Sequence, residues 1–385
     1  MALHLVAETQ IIPKPREPHE ILGRTVIALA DQIDANGPDI KLANMLHSEL
    51  EDIRHDLLAM SLVEKRRFAP HVHMVLHGGR PAFKDVHDPQ IVSWLAQSPD
   101  DVMVRFLRRN RVIVAEQQRE SEPLIAAYKH SYIVNLKRGI GEGWASQDAA
   151  RYEDKAYKLQ VDIGDYWSTH RHHMAGYHKR GHARVVIAQG LGWTAKEQLA
   201  DLRKLFDHAL YHEINHALFE YKFSADIMLE TSWFSEAMAE HLRLVMQGGR
   251  PEVIAPRLRS EGSLNYLGFR NLAYYVTALA PGGPIDARYL TRAYTSASLL
   301  SEDWKAMERQ FDEKWGAPHA FWKICRSYAD ICEQVCAEHP EWSHFEQIQE
   351  AAVRLKDLLD ANPKQVFGRE YEKPHPRARG VALVR

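Results

Sequence analysis

The segment His212-Glu213-Ile214-Asn215-His216 combines residue types and a spacing that could do chemistry. On a helix, two histidines four apart lie on one face, one turn above each other, so both imidazoles can reach a single ion. Glu213 stands about 100° round the axis, off that line, where it can reach a water on the ion instead. A divalent metal lowers the pKa of such a water from about 15.7 toward about 7, and a carboxylate accepts the proton. Zinc and a general base make a nucleophile in this way. The chain has 22 histidines in 385 residues, enough for the pentapeptide to arise by accident, so its setting has to be weighed. The flanks Ala209-Leu210-Tyr211 and Ala217-Leu218 carry no charge, proline or glycine, as expected of a buried helix presenting ligands inward.

A catalytic zinc site takes three protein ligands and keeps one position open. Glu236 follows downstream, inside the second helical segment Trp233-Phe234-Ser235-Glu236-Ala237-Met238-Ala239-Glu240. Glu240 falls on the same helix face and could accept from the free ring nitrogen of a ligating histidine, which fixes the tautomer and raises ligand basicity. Taken singly, Glu236 and Glu240 read as a solvated helix face. Taken with the pentapeptide, they read as third ligand and supporting carboxylate.

His212-Glu213-x-x-His216 followed by Ser235-Glu236-Ala237-x-Ala239-Glu240 resembles the gluzincin metallopeptidases, the group with thermolysin-like and aminopeptidase-like enzymes. The resemblance implies one zinc per chain held by His212, His216 and Glu236, with Glu213 as general base and Glu240 beside a ligand. Many members have Asn-Glu-Gly where this chain has Ser-Glu-Ala. Tyr266-Leu267-Gly268-Phe269 resembles the Tyr-x-x-Gly helix start of the aminopeptidase-like branch and gives Tyr266 the role of oxyanion donor, with Tyr274 and Tyr275 as substitutes and packing in a helical core as the other reading. The amine-binding signature Gly-x-Met-Glu-Asn of the aminopeptidases is absent. The likeness spans about residues 155 to 285.

The elements that must position these residues read as an α+β protein dominated by helices. Residues 1–150 are expected to form a helical N-terminal domain, with amphipathic segments at about 89–118 and 120–137 and a loop at Gly139, Gly141 and Gly143. Residues 151–290 are expected to carry the gluzincin-like domain, 291–362 a helical C-terminal region, and 363–385 a flexible basic tail. Tyr157, Leu159, Val161 and Ile163 alternate with polar residues as in a half-buried strand, and Ala183 to Gln189 reads as a second strand, which the resemblance to a zincin-like domain makes the candidate sheet edge for pairing with an extended substrate. The histidine-rich stretch Trp167 to His182 between them reads as a loop. Gly190-Leu191-Gly192 then leads into a helix that Thr194 could cap.

With 49 basic and 51 acidic side chains the formal charge is -2, which offers no global field for nucleic acid or an anionic membrane. No apolar run reaches the length of a membrane span and no signal peptide is read, so a cytoplasmic location is expected. Cys325, Cys332 and Cys336 recur at helical spacing, which suits reduced thiols in a core. His71, His73 and His77 read as the polar face of a strand. His170, His172, His173, His178 and His182 read mostly as exposed loop residues, with oxyanion assistance or a second metal as the alternatives. The tail from Lys373 to Arg379 could contact phosphate or an acidic partner, but no nucleic-acid-binding motif accompanies it. The function expected is hydrolysis of a peptide or protein substrate. The alternative is a non-catalytic zincin-like domain used for protein binding or regulation.

Overall fold

The computed structural model describes residues 71–72, 74–75, 99–165, 176–179, 183–252, 254, 267–280, 282–340, 342 and 344–368. Helix α1 (Pro99–Glu142) leads through a 3-10 turn into α2 (Glu153–Lys158) and a three-stranded sheet of β1 (Gln160–Gly164), β2 (Gly176–Lys179) and β3 (Arg184–Ala188). The rest is helical: α3 (Ala195–Leu205), α4 (Tyr211–Phe219), α5 (Ala225–Met246), α6 (Leu267–Tyr274), α7 (Ala287–Thr295), α8 (Glu302–Trp315), α9 (Ala320–Glu338), α10 (His344–Ala361) and α11 (Pro363–Phe367). The described chain is thus mostly helical with one small sheet. Among the described residues no helix is long and apolar enough to cross a membrane.

The two segments expected on either side of residue 119 form one helix of 44 residues, α1. It runs through the glycines read as a loop and stops only at Gly143, whose φ of +77° suits a residue without a side chain. Gly139 serves close packing instead: a Cβ there would lie 2.5 Å from the Trp144 ring, which folds back over the helix and is buried. The strand expected from Tyr157 begins at Gln160, because residues 153–158 complete a helical turn that leaves Tyr157 exposed. Residues 71, 72, 74 and 75 are helical and buried, His71 included, in place of the expected strand with a polar histidine face. Burial of 71 with 72 and of 74 with 75 breaks the alternation a half-buried strand would show.

The sheet order is β1-β3-β2, with β1 parallel and β2 antiparallel to β3. Ala183 to Gln189 therefore holds the central strand, not the expected edge, and among the described residues β2, inside the stretch expected to be a loop, lies at the edge. The reason is visible in β3 itself: Val185, Val186, Ile187 and Ala188 are all buried, the continuous apolar run of a strand covered on both faces. On the far side, Gln118 of α1 closes β1 as a strand would. Its amide donates to Val161 O at 3.1 Å and accepts from Ile163 N at 2.7 Å.

One apolar cluster joins Tyr132, Ile133 and Leu136 of α1 with Val161, Ile163, Val185 and Ile187 of the sheet and with the helices that follow. Cys325 and Cys332 lie buried in it as free thiols and Cys336 is half-buried. Residues 363–367, expected within the flexible tail, are helical. Proline at the first helical position begins α11, Val366 is fully buried, and Phe367 O accepts from Lys323 Nζ at 2.8 Å.

Candidate metal centre

Thr194 caps α3 with a full capping box to Glu197, as its position suggests. A single π turn (Phe206–Leu210) then carries the helical path into α4. Six consecutive positions at the start of α4, Tyr211 to His216, are all buried, with Leu218 and Phe219 beyond them. A helix covered all round belongs inside the protein, and its polar residues must find partners there.

Asn215 supplies the framework. Its Oδ1 accepts from Tyr132 of α1 at 2.7 Å and its Nδ2 donates to Ala239 O of α5 at 2.9 Å, so one buried amide ties α4 to both neighbours. That tie sets the spacing between the histidine face of α4 and the Glu236 turn of α5.

Across this gap His212 Nε2, His216 Nε2 and Glu236 Oε2 converge. The nitrogens are 2.9 Å apart, and the carboxylate oxygen stands 3.2 Å from the first and 3.4 Å from the second. Ligands about 2.05 Å from a tetrahedral zinc are about 3.3 Å from one another, so the two carboxylate distances match such an ion and the nitrogens stand somewhat closer than it would hold them. Among the described residues these three form the group able to hold a metal. The imidazoles are almost fully enclosed at 4% and 3% side-chain exposure, whereas Glu236 keeps 27%, so the cluster opens on the glutamate side.

Each histidine has its own carboxylate behind it. His216 Nδ1 donates to Glu220 Oε1 at 2.6 Å, and Ser235 Oγ donates to the same oxygen. Glu240 Oε2 stands 3.6 Å from His212 Nδ1 and is held in turn by Arg243. With Nδ1 facing a carboxylate, each neutral ring directs its Nε2 lone pair toward the shared point, the tautomer a metal needs. Glu220 is the site residue the sequence reading passed over, although it lies four residues beyond His216, the same interval that singled out Glu240 beyond Glu236.

The electrostatics follow from this enclosure. Burial and the nearby His216 depress the His212 pKa, but the bonds to Glu236 and Glu240 outweigh them and lift it to about 9. Burial also opposes charge on His216, where Glu220 and Glu236 win and raise its pKa well above the usual value. Burial would raise Glu236, yet the two histidines bring it down to about 2, and Arg243 with His212 holds Glu240 lower still.

Glu213, next in the chain to His212, is buried and meets β2. A Cβ on Gly176 of β2 would lie 3.2 Å from Glu213 Cγ, 3.0 Å from Val186 O and 2.8 Å from Ile187 Cδ1. The missing side chain is therefore what lets the sheet edge approach the pentapeptide. Nothing in the local pattern around Gly176 marks it, since the approach depends on how β2 pairs.

Tyr266 lies outside the described residues, as do His73, His77, His170, His172, His173, His182 and the segment 369–385. His178 falls on β2. Of the substitute tyrosines, Tyr275 donates its hydroxyl to Asp360 of α10 at 3.0 Å, and Tyr274 packs half-buried against the core. No family model, curated protein or solved structure matches the chain, so the geometry of these side chains is what a functional reading has to stand on.

Proposed function

We propose that the chain is a zinc-dependent metallopeptidase of gluzincin type that hydrolyses peptide bonds. The observation that carries this reading is the convergence of His212, His216 and Glu236 within 2.9 to 3.4 Å, on a face that stays open at Glu236, with Glu213 next to it. His212, His216 and Glu236 would hold the ion. When bound, zinc supplies Lewis acidity to the scissile carbonyl and acidity to the attacking water.

The chain's own residues do the rest. Glu213 takes the proton of the attacking water and returns it to the leaving amine, so that one carboxylate serves as base and then acid. Enclosure of Glu213 between α4 and β2 keeps bulk water from competing for that proton. Glu220 and Glu240 hold the imidazoles in place, and Tyr266 is the candidate donor to the oxyanion. Among the described residues the β2 edge is a backbone on which an extended peptide could lie, since β1 is closed by Gln118.

Metal analysis of protein purified without added zinc, followed by cleavage of a mixed peptide library, tests the reading. About one zinc per chain is expected, with Glu213→Gln keeping the metal and losing turnover and His216→Ala losing the metal. A Glu213→Gln variant as active as the parent would falsify the mechanism. Zinc uptake without cleavage of any peptide would favour the non-catalytic domain instead.

A further inference from the structure

Arg243 stands one turn beyond Glu240 on α5, only 5% exposed, where the metal ligands do not reach. Its guanidinium makes a two-pronged bond to Glu240, Nε to Oε2 and Nη2 to Oε1, both 2.7 Å. The remaining nitrogen, Nη1, donates to Asp207 O at 3.3 Å and to Gln247 Oε1 at 2.6 Å. Gln247 Nε2 donates to that same Asp207 carbonyl. Asp207 belongs to the π turn that precedes His212 on the helical path. The guanidinium therefore joins the turn that launches the histidine helix to the carboxylate facing His212 Nδ1 from 3.6 Å.

A buried carboxylate bonded through one oxygen can still rotate about its Cγ–Cδ bond, whereas a planar fork on both oxygens fixes its plane. The oxygen that accepts from Arg243 Nε is also the one nearest the histidine, so the fork determines where that acceptor sits. A buried arginine is also costly, and three kinds of partner around a single guanidinium are more than neutralising Glu240 requires.

We propose that Arg243 is a positioning residue for the metal centre, acting through Glu240 to hold His212 and registering α4 against α5 through the Asp207 carbonyl. This rests on the zinc reading above and adds a residue to it. If geometry is what Arg243 contributes, a lysine cannot replace it: an ammonium keeps the charge but not the fork.

The test is zinc affinity of the full chain, measured by competition with a chromophoric chelator, for the parent, Arg243→Lys, Arg243→Met, Glu240→Gln and the Arg243→Met/Glu240→Gln double variant. Arg243→Lys is expected to weaken zinc about tenfold, within the range for outer carboxylate networks. Arg243→Met should weaken it at least as much, and the double variant should bind more tightly than the product of the two single losses, because the arginine works in part through that carboxylate. Parent affinity in Arg243→Lys overturns the proposal, as do losses that multiply in the double variant. Should Arg243→Met not fold, the lysine variant, which keeps a buried cation, decides the matter. A parent that takes up no zinc removes the underlying reading as well, an outcome distinct from variants that bind like a zinc-loaded parent.

Discussion

Raising the pH from 6.5 to 9 should weaken the zinc-free protein and tighten zinc at the same time. The sign follows from the histidines. The His212 pKa is about 9 in the fold against an ordinary 6.5, so its contribution to stability is fully present below pH 6.5 and is lost as the pH climbs through 9. A rise of that size corresponds to roughly 3 kcal/mol between the two protonation states, an order of magnitude for so enclosed a group. Zinc needs the same nitrogens unprotonated, so each displaced proton makes affinity about tenfold higher per pH unit until the histidines have titrated. His216 is raised as well, which puts the slope between one and two. Glu236, at about 2, is ionised throughout and adds nothing to it. The assay is chelator competition at half-unit pH steps, with thermal unfolding of zinc-free and zinc-loaded protein alongside. The gap between the two melting temperatures should widen with pH. An affinity that stays flat from pH 6.5 to 9, or a gap that narrows, refutes the assignment of these histidines as ligands.

Three further outcomes are expected. Gly176→Ala places a methyl 3.2 Å from Glu213 Cγ and against Val186 O; kcat should fall severalfold or more while zinc content stays at one per chain, and an unchanged kcat removes Gly176 from the site. Glu220→Gln deprives His216 Nδ1 and Ser235 of their shared acceptor; zinc should bind about tenfold more weakly by chelator competition. Asn215→Leu strands the Tyr132 hydroxyl and the Ala239 carbonyl in the core; chemical denaturation should show a loss of roughly 2 to 4 kcal/mol, with weaker zinc binding as α4 and α5 lose their tie.

What could be read from the chain is what lies within a turn or two of helix. The two histidines, and Glu236 with Glu240, occupy intervals that any α-helix converts into shared faces, Glu213 follows from its place in the pentapeptide, and Thr194 with Glu197 is a local cap. Glu220 was equally legible at four residues from His216 and needed only the question of what each imidazole's second nitrogen would meet. Strand order was not legible in the same way. Which of β2 and β3 lies at the edge depends on pairing between segments, and the clue that β3 is central, its unbroken apolar run, says only that both faces are covered. Gly176 and Arg243 were out of reach for a further reason. Each matters because of one atom on a distant element, the Glu213 Cγ and the Asp207 carbonyl, and neither belongs to a recurring interval.

The raised histidine pKa values and the proposed zinc site have a common electrostatic origin. Glu213, Glu220, Glu236 and Glu240 lie on α4, the turn after it and α5, and the last three bear directly on the two imidazoles. Among the described residues the cations close by are Arg243 on Glu240, Arg270, whose pKa burial lowers against the pull of Glu240, and the half-buried Lys222, whose pKa burial takes well below its usual value against the pull of Glu220. Lys222 is already engaged, donating to the carbonyls of Ala293, Tyr294 and Ser296 at the end of α7. An enclosure with more carboxylates than cations is a poor place for a neutral imidazole, because any proton gained there is stabilised by several anions at short range. The same anions favour a divalent ion at the same point more strongly, since attraction scales with its charge. Protons and zinc therefore compete for one buried deficit of positive charge, and the outer residues decide the terms of that competition without touching the ion. On this account Glu240→Gln should lower the His212 pKa in the zinc-free protein and weaken zinc together. NMR titration of the histidine ring resonances would show the first change and chelator competition the second. If zinc weakened while the His212 pKa stayed near 9, Glu240 would be acting by geometry alone and the charge argument would be wrong.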